Sequence, residues 1–281
     1  MTRDRLAWPY LAGLAALVAI PALAALALAF TDFGGIGAPR FVGADNFARM
    51  VGDEAFWRSL ANSLLYVAMA VPVRLSLALA FALLLARRAR GAGAARASAY
   101  LPTVVPDAAL ALVWLWLLNP LYGPLPVAFE AAGIDSPGWL TEPWAARVAI
   151  AAMGALQIGE AFVVALAARR AIPARLYEAA AVDGASAWYA LRRLTLPMMA
   201  PVLGLLALRD VLLSFQVGFV PALLVTDGGP RYATTYLPLY AYRMAFRYFR
   251  LGYASAITTT LFVLTALVVV VQYRLARRWR P

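Results

Sequence analysis

LYEAAAVDGASAWYALRRLTLPMMAP, residues 176–201, lies between two long apolar runs in a chain of 281 residues that is 64% hydrophobic. It carries Glu178, Asp183, Arg192 and Arg193, a glycine at 184 and a proline at 197. A membrane chain that only turns back does so in a few residues, yet here the polar excursion runs from Arg169 to Pro197, 29 residues. Pro173 suits the first turn of a helix. Residues 174–182 are good helix formers, and Gly184 can close them in a left-handed cap. Ser186 can N-cap a second short helix over 187–195, after which Pro197 starts the next apolar run. The expectation is two short helices joined at Asp183-Gly184. Ala179, Ala180 and Ala181 present almost no side chain, so another surface can come close to the backbone. Glu178 adds one anchoring charge, and Trp188, Tyr189 and Leu191 add apolar contact. Such a face suits docking to a partner; an amphipathic helix lying on lipid is the alternative, though alanine is a poor membrane anchor.

Outward from this loop, six apolar segments are long enough to cross a hydrocarbon core as helices. They lie near 8–30, 60–86, 99–118, 145–168, 198–222 and 252–273. The first has Arg3 and Arg5 before it, as a signal peptide would, but its apolar run exceeds the roughly 7–15 residues of a signal core. An uncleaved span is expected. The fold class is thus an all-α polytopic membrane protein, one transmembrane domain over 1–281. Charge makes up 14% of the chain, against about 25% in soluble domains.

Arginine placement sets the orientation. With the N-terminus in the cytoplasm, 15 Arg fall inside, among them Arg87, Arg88, Arg169, Arg170, Arg278 and Arg280, and eight fall outside. With acids included, the inside nets +12 and the outside zero. The net charge of +11 is therefore a topology signal facing membrane lipids, and no nucleic acid is needed to explain it. Both termini and the 169–197 loop come out cytoplasmic. Trp8, Tyr10, Trp144 and Trp279 fall near span ends, as interfacial aromatics do. The segments 31–59 and 119–144 are loops able to fold against the outer helix ends.

The chain has no Cys, no His and no Lys. Disulfide and thiolate chemistry are excluded, and the usual general base is missing. Five ionisable residues remain within spans: Arg74, Asp107, Glu160, Arg209 and Asp210. Counted from the cytoplasmic helix ends, all lie roughly 13–20 Å deep. Lone charges there are costly, so they face one another or a wet cavity. Either they only tie helices together, or some line a polar path with Gln157 and Gln216 beside them. Pro102 and Pro106 precede Asp107, and broken spans often border binding sites.

The run Glu178-Ala179-Ala180, Gly184, Leu194, Leu196, Pro197 resembles the EAA loop of permease subunits of binding-protein-dependent ABC importers. FVGADNFARMV at 41–51 and RGAGAARASAYLPTVVP at 90–106 resemble further segments of that family. TDGGPRYATTYLPLYAYRMAFRYFRLGYASA at 226–256 resembles the T-x-G-G-P segment of its sugar-importer branch, the maltose F-subunit and glycerol-phosphate A-subunit type. The resemblance implies that Tyr177, Glu178, Ala179, Ala180, Asp183, Gly184, Leu194, Leu196 and Pro197 form a coupling helix and its flanks, docking on an ATPase. It implies a second related permease, two ATPase subunits that bind ATP and Mg, an extracytoplasmic solute-binding protein, and the bacterial inner membrane. This chain carries no cofactor and no phosphate-binding Gly-Lys-Ser/Thr loop. Its cargo is expected to be a neutral mono-, di- or oligosaccharide, with a polyol or glycerol-phosphate ester open. Phe219-Val220 stands where the branch often has Phe-Asp, and Arg74 and Glu160 match no family pattern. Two rivals stand beside this reading. A proton-coupled transporter using Glu160 or Asp210 lacks the inverted repeat such folds show. A membrane enzyme lacks catalytic parts.

Overall fold

The computed structural model describes residues 3–86 and 90–277. Arg87, Arg88, Arg278, Trp279 and Arg280, used above for orientation or as an interfacial anchor, lie outside the described residues. The described residues are mostly helical, with one two-stranded antiparallel ribbon that pairs Thr31 with Phe41 and Asp32 with Arg40.

Among the described residues, four helices are each long and apolar enough to cross a membrane: Ala7–Leu28, Glu54–Leu84, Ala187–Thr226 and Leu251–Arg274. Two bent pairs raise the number to six if each counts as one span: Ala92–Val104 with Asp107–Leu117, bent by 98°, and Pro143–Ala155 with Gly159–Ala171, bent by 49°. The first bend follows from Pro106. A residue before proline is pushed out of the helical region, and Val105 (ψ 130°) and Pro106 (ψ 136°) are both extended.

One expectation is corrected. Pro197 does not start a new helix. The helix that opens at Ala187 runs on through it, widened over Leu191–Thr195 into a π turn in which Leu196 N–H reaches back to Leu191 O. Proline lacks an N–H and its ring crowds the carbonyl four residues back; a wider turn moves that carbonyl aside. The same device precedes Pro21, where Ala15–Ala19 form a π turn closed by Ile20 N–H on Ala15 O.

The chain divides into two compact units. One lies within 1–60 and 237–266. Its core packs Ala29, Met50, Phe56, Leu237, Tyr240 and Ile257. Asn46, only 2% exposed, donates both amide hydrogens, to Ala29 O and Thr31 O, at 2.9 Å each. Gly252 N–H bonds Phe33 O at 3.0 Å, an approach so close that a Cβ on residue 252 would overlap the Thr31 carbonyl. The second unit lies within 61–236 and 267–281. Its core packs Ala78, Ala82, Phe162, Ala165, Ile172 and Met199, with Leu176 and Tyr177 against it. Many large apolar side chains on the spans stay exposed, among them Leu17, Leu205 and Phe262, as a surface made for lipid or partner helices requires. Trp8, Tyr10 and Trp144 are exposed as well.

Candidate functional site

Four arrangements carry polar chemistry. The first is the loop quoted at the outset. Ala174–Val182 is a helix with no buried residue. It ends in a complete Schellman motif: Ala185 N–H bonds Ala180 O at 2.8 Å and Gly184 N–H bonds Ala181 O at 3.1 Å. Gly184 takes φ +78°, which a side chain would resist. Ser186 then caps the next helix, its hydroxyl accepting from Tyr189 N–H at 3.2 Å. Glu178, Ala179 and Asp183 point outward and are exposed, and Ala180 is half-buried. Val182, Trp188 and Tyr189 expose apolar surface beside them. Tyr177 faces the other way: its hydroxyl shares a hydrogen bond with the buried Thr195 hydroxyl at 2.8 Å, and the Arg169 guanidinium stacks over its ring at 4.3 Å. Leu194 and Leu196 are half-buried and Pro197 is exposed at the root of the following helix. Tyr177 thus pins the helix from within, while Glu178, Ala179 and Asp183 stay exposed.

The second arrangement is the polar centre in the spans. The five charges separate into three groups. Arg74 and Asp210 are both 5% exposed in their side chains and meet at 2.7 Å. Arg74 Nε also donates to Gly154 O at 2.8 Å, and its Nη1 reaches Ser214 Oγ at 3.4 Å. Gly154 lies in the last turn of Pro143–Ala155, where carbonyls have lost their helical partners. A cation there is favoured by the helix dipole, so Arg74 caps the half-helix at its break. A Cβ on residue 154 would overlap the Tyr66 hydroxyl and crowd Arg74. Tyr66 Oη, Arg74 Nη2 and Asp210 Oδ2 are buried there without a partner among the described residues. Arg209 and Glu160 form the second pair, half-exposed on the outside of the bundle. Asp107 accepts from Gln157 Nε2 at 3.0 Å, while Gly159 N–H bonds Thr103 Oγ at 2.9 Å. The two span breaks are therefore fastened to each other. Gln216 is exposed. Tyr66, Gly154 and Ser214 were not singled out from sequence; a glycine flanked by apolar residues gave no sign that an arginine 80 residues away would cap it.

The third arrangement is the 226–235 loop, which is bonded to itself. Thr226 and Thr234 hydroxyls meet at 2.6 Å, Thr234 donates to Gly229 O at 2.8 Å, and Thr235 donates to Gly228 O at 2.9 Å. Asn62 holds it through Tyr232 O (2.8 Å) and Thr235 O (3.2 Å), and Arg147 donates to Asn62 Oδ1 and to Ala233 O. Its Thr and Gly residues shape the loop; Thr234 and Thr235 are buried.

In the first unit Asp53 caps the Glu54–Leu84 helix by accepting from Ala55 and Phe56 N–H. Its other oxygen accepts the hydroxyls of Tyr240 and Tyr253, each at 2.5 Å. Burial alone would raise the Asp53 carboxyl, but the two tyrosine hydroxyls and the two backbone N–H groups outweigh it and hold it below the usual value.

Residues 75–281 match the family described as binding-protein-dependent transport system inner membrane component. The chain is 32% identical over 276 residues to a probable ABC transporter permease of Bacillus subtilis, YesP, covering 96% of this chain and 89% of that one. It is 30% identical over 288 residues to the lactose transport system permease LacF of Rhizobium radiobacter, covering 96% and 93%. Among solved structures it resembles a chain of the bacterial alginate ABC transporter in complex with an alginate pentasaccharide-bound periplasmic protein. There the TM-score is 0.84 at 25% identity, with 98% of this chain and 93% of that one covered. The chain belongs to the family of binding-protein-dependent transport system inner membrane components, and is a multi-pass ABC transporter permease rather than an enzyme.

Proposed function

We propose that this chain forms half of the translocation pathway of an ATP-driven importer for a neutral sugar. Both bent pairs count as spans, giving six transmembrane helices in a single domain over 1–281, with both termini in the cytoplasm. A second related permease supplies the other wall. Two ATPase subunits bind ATP and Mg beneath, and an extracytoplasmic binding protein delivers the solute. The observation that carries the reading is the exposed, Schellman-capped helix Ala174–Val182, with Glu178 on its outer face and Tyr177 anchoring its inner one. Closure of the ATPase dimer on ATP moves this helix, and the spans on either side of it switch the cavity from inward- to outward-facing. ATP and solute bias the same two-state equilibrium.

The sugar assignment draws support from the lactose permease and from the alginate-linked neighbour. A neutral cargo fits the charges better than an acidic one. Arg74 is neutralised by Asp210 and Arg209 by Glu160, which leaves no cationic excess to hold an acid. Arg209, Glu160, Gln216 and the Asp107–Gln157 pair are proposed to line the path, and Arg74 with Asp210 to hold its wall.

The test is Glu178→Lys and Gly184→Trp. Both should abolish co-purification of the ATPase subunits and ATP-dependent uptake while the chain still reaches the membrane. Retained uptake in both variants would overturn the coupling role. Uptake that survives ATP depletion but stops with a proton ionophore would instead establish a proton-driven carrier.

A further inference from the structure

The first unit contains a cleft of about 500 Å³ that none of the roles above uses. Its walls include Asp32, Phe33, Arg49, Tyr240, Arg250 and Tyr253. We propose that it is a binding site for a neutral saccharide on the extracytoplasmic face, a landing place for solute before it enters the spans. The side rests on the importer reading above, which puts residues 31–59 opposite the docking loop.

Size, charge and chemistry agree on the ligand class. The volume lies within the roughly 300–1,000 Å³ of small-molecule sites. The charged lining is Asp32 and Asp53 against Arg49 and Arg250, so it nets zero and favours neither an anion nor a cation. Asp53 already takes four donors. Asp32 is left as a charged acceptor for a ligand, and Arg250 as a donor fork. A hydroxyl group both donates and accepts, and it is the group that uses one of each. Tyr240 and Tyr253 have given their protons to Asp53, so their oxygens offer lone pairs. The Phe33 ring supplies the apolar face on which the C–H side of a sugar ring rests.

The wall is also fixed before any ligand arrives. Asn46 is tied to two backbone carbonyls, Phe33 O is held by Gly252 N–H, and Asp53 joins two tyrosines to a helix start. A preorganised site loses little entropy on binding.

The absence of cysteine makes a direct test available. Arg49 sits on the rim with its side chain 61% exposed; Arg49→Cys breaks its surface pair with Asp45 and takes one positive charge from the lining. The full chain in lipid nanodiscs is labelled with a maleimide, with and without about 50 mM lactose or trehalose. A site with a Kd of about 20 mM slows labelling about 3.5-fold by mass action. Adding Phe33→Ala or Arg250→Met should abolish the protection, and galacturonate should protect less than either neutral sugar. Equal labelling rates with and without both sugars would overturn the proposal. So would protection that survives Phe33→Ala and Arg250→Met, or protection by galacturonate alone. In right-side-out spheroplasts an impermeant maleimide should label Arg49→Cys; failure to label would overturn the extracytoplasmic placement. ATP-driven uptake by the unsubstituted chain is measured apart. Uptake without cleft protection sinks the cleft alone, and protection without ATP-driven uptake sinks the importer reading alone.

Discussion

Arg74→Met is the most demanding test of how the membrane part is held together. Arg74 and Asp210 are nearly inaccessible and 2.7 Å apart. Removing one partner of a buried pair typically costs about 3–5 kcal/mol, because the other charge stays buried alone. The Gly154 carbonyl loses its 2.8 Å donor too and is left to weaker backbone donors, among them Gln157 N–H at 3.3 Å; an under-satisfied buried acceptor adds about 1 kcal/mol. The sum, roughly 4–6 kcal/mol, rivals the whole stability of many domains, about 5–15 kcal/mol. Replacing both residues, Arg74→Met with Asp210→Leu, removes the stranded charge and should recover about 3 kcal/mol of that loss. At about 2–4 °C per kcal/mol for a chain of this size, the single variant melts at least about 8 °C below the unsubstituted chain, and the double variant regains most of the difference. Fluorescence-detected size-exclusion chromatography after graded heating in detergent reads both. Arg209→Met is the comparison: its pair with Glu160 is half-exposed and is proposed above to face the wet path, where water-exposed pairs contribute about 0–1 kcal/mol. If Arg74→Met melts like the unsubstituted chain, or if the double variant is no better than the single, the pair does not hold the break.

Further outcomes follow from the same geometry. Gly154→Ala should lower the melting temperature, since overpacking costs about 1–3 kcal/mol, and Tyr66→Phe in the same chain should restore part of it by removing the overlapped hydroxyl; no shift in the single variant would refute the contact. Gly184→Ala places a Cβ at φ +78°, a cost of about 1 kcal/mol; amide exchange over residues 180–185 should quicken about fivefold, and unchanged exchange would count against the cap. Asp53 has a lowered folded pKa against an ordinary value of 3.8, so its stabilisation is complete above that value and is lost as pH falls through the lowered one. Asp53→Asn should therefore melt below the unsubstituted chain at pH 7, and the gap should close toward pH 3. A gap independent of pH would mean that the charge plays no part.

The long apolar helices were legible because a helix in lipid must be long and apolar, and the loop at 174–186 because Pro173, Gly184 and Ser186 carry local backbone preferences. Depth counting brought Arg74, Asp107, Glu160, Arg209 and Asp210 to one layer, yet it could not say who meets whom. Arg209 and Asp210 are neighbours in sequence, but a helix turns 100° between them, and one faces outward while the other is buried. Pro197 misled, since the rule against proline in helices assumes a regular α turn and a π turn relaxes it. The break at 156–158 was hidden because the group that caps the half-helix there, the Arg74 guanidinium, lies on another helix. The Asp53, Tyr240 and Tyr253 cluster was invisible for the same reason: its members stand 187 and 200 residues apart in sequence.

The continuity of Ala187–Thr226 makes the two connections to the docking loop mechanically unequal. Its 40 residues span about 60 Å at 1.5 Å per residue, starting three residues after Gly184. On this side helix runs without a gap from the loop to Arg209 and Asp210, so on the coupling role proposed above a tilt imposed at the loop is carried toward them. On the other side the Gly159–Ala171 helix is articulated at the break capped by Arg74. The same displacement there is taken up as a change of angle between two half-helices instead of being passed on whole. On the proposed coupling role, one arm drives and the other yields, which would reshape the wall between them.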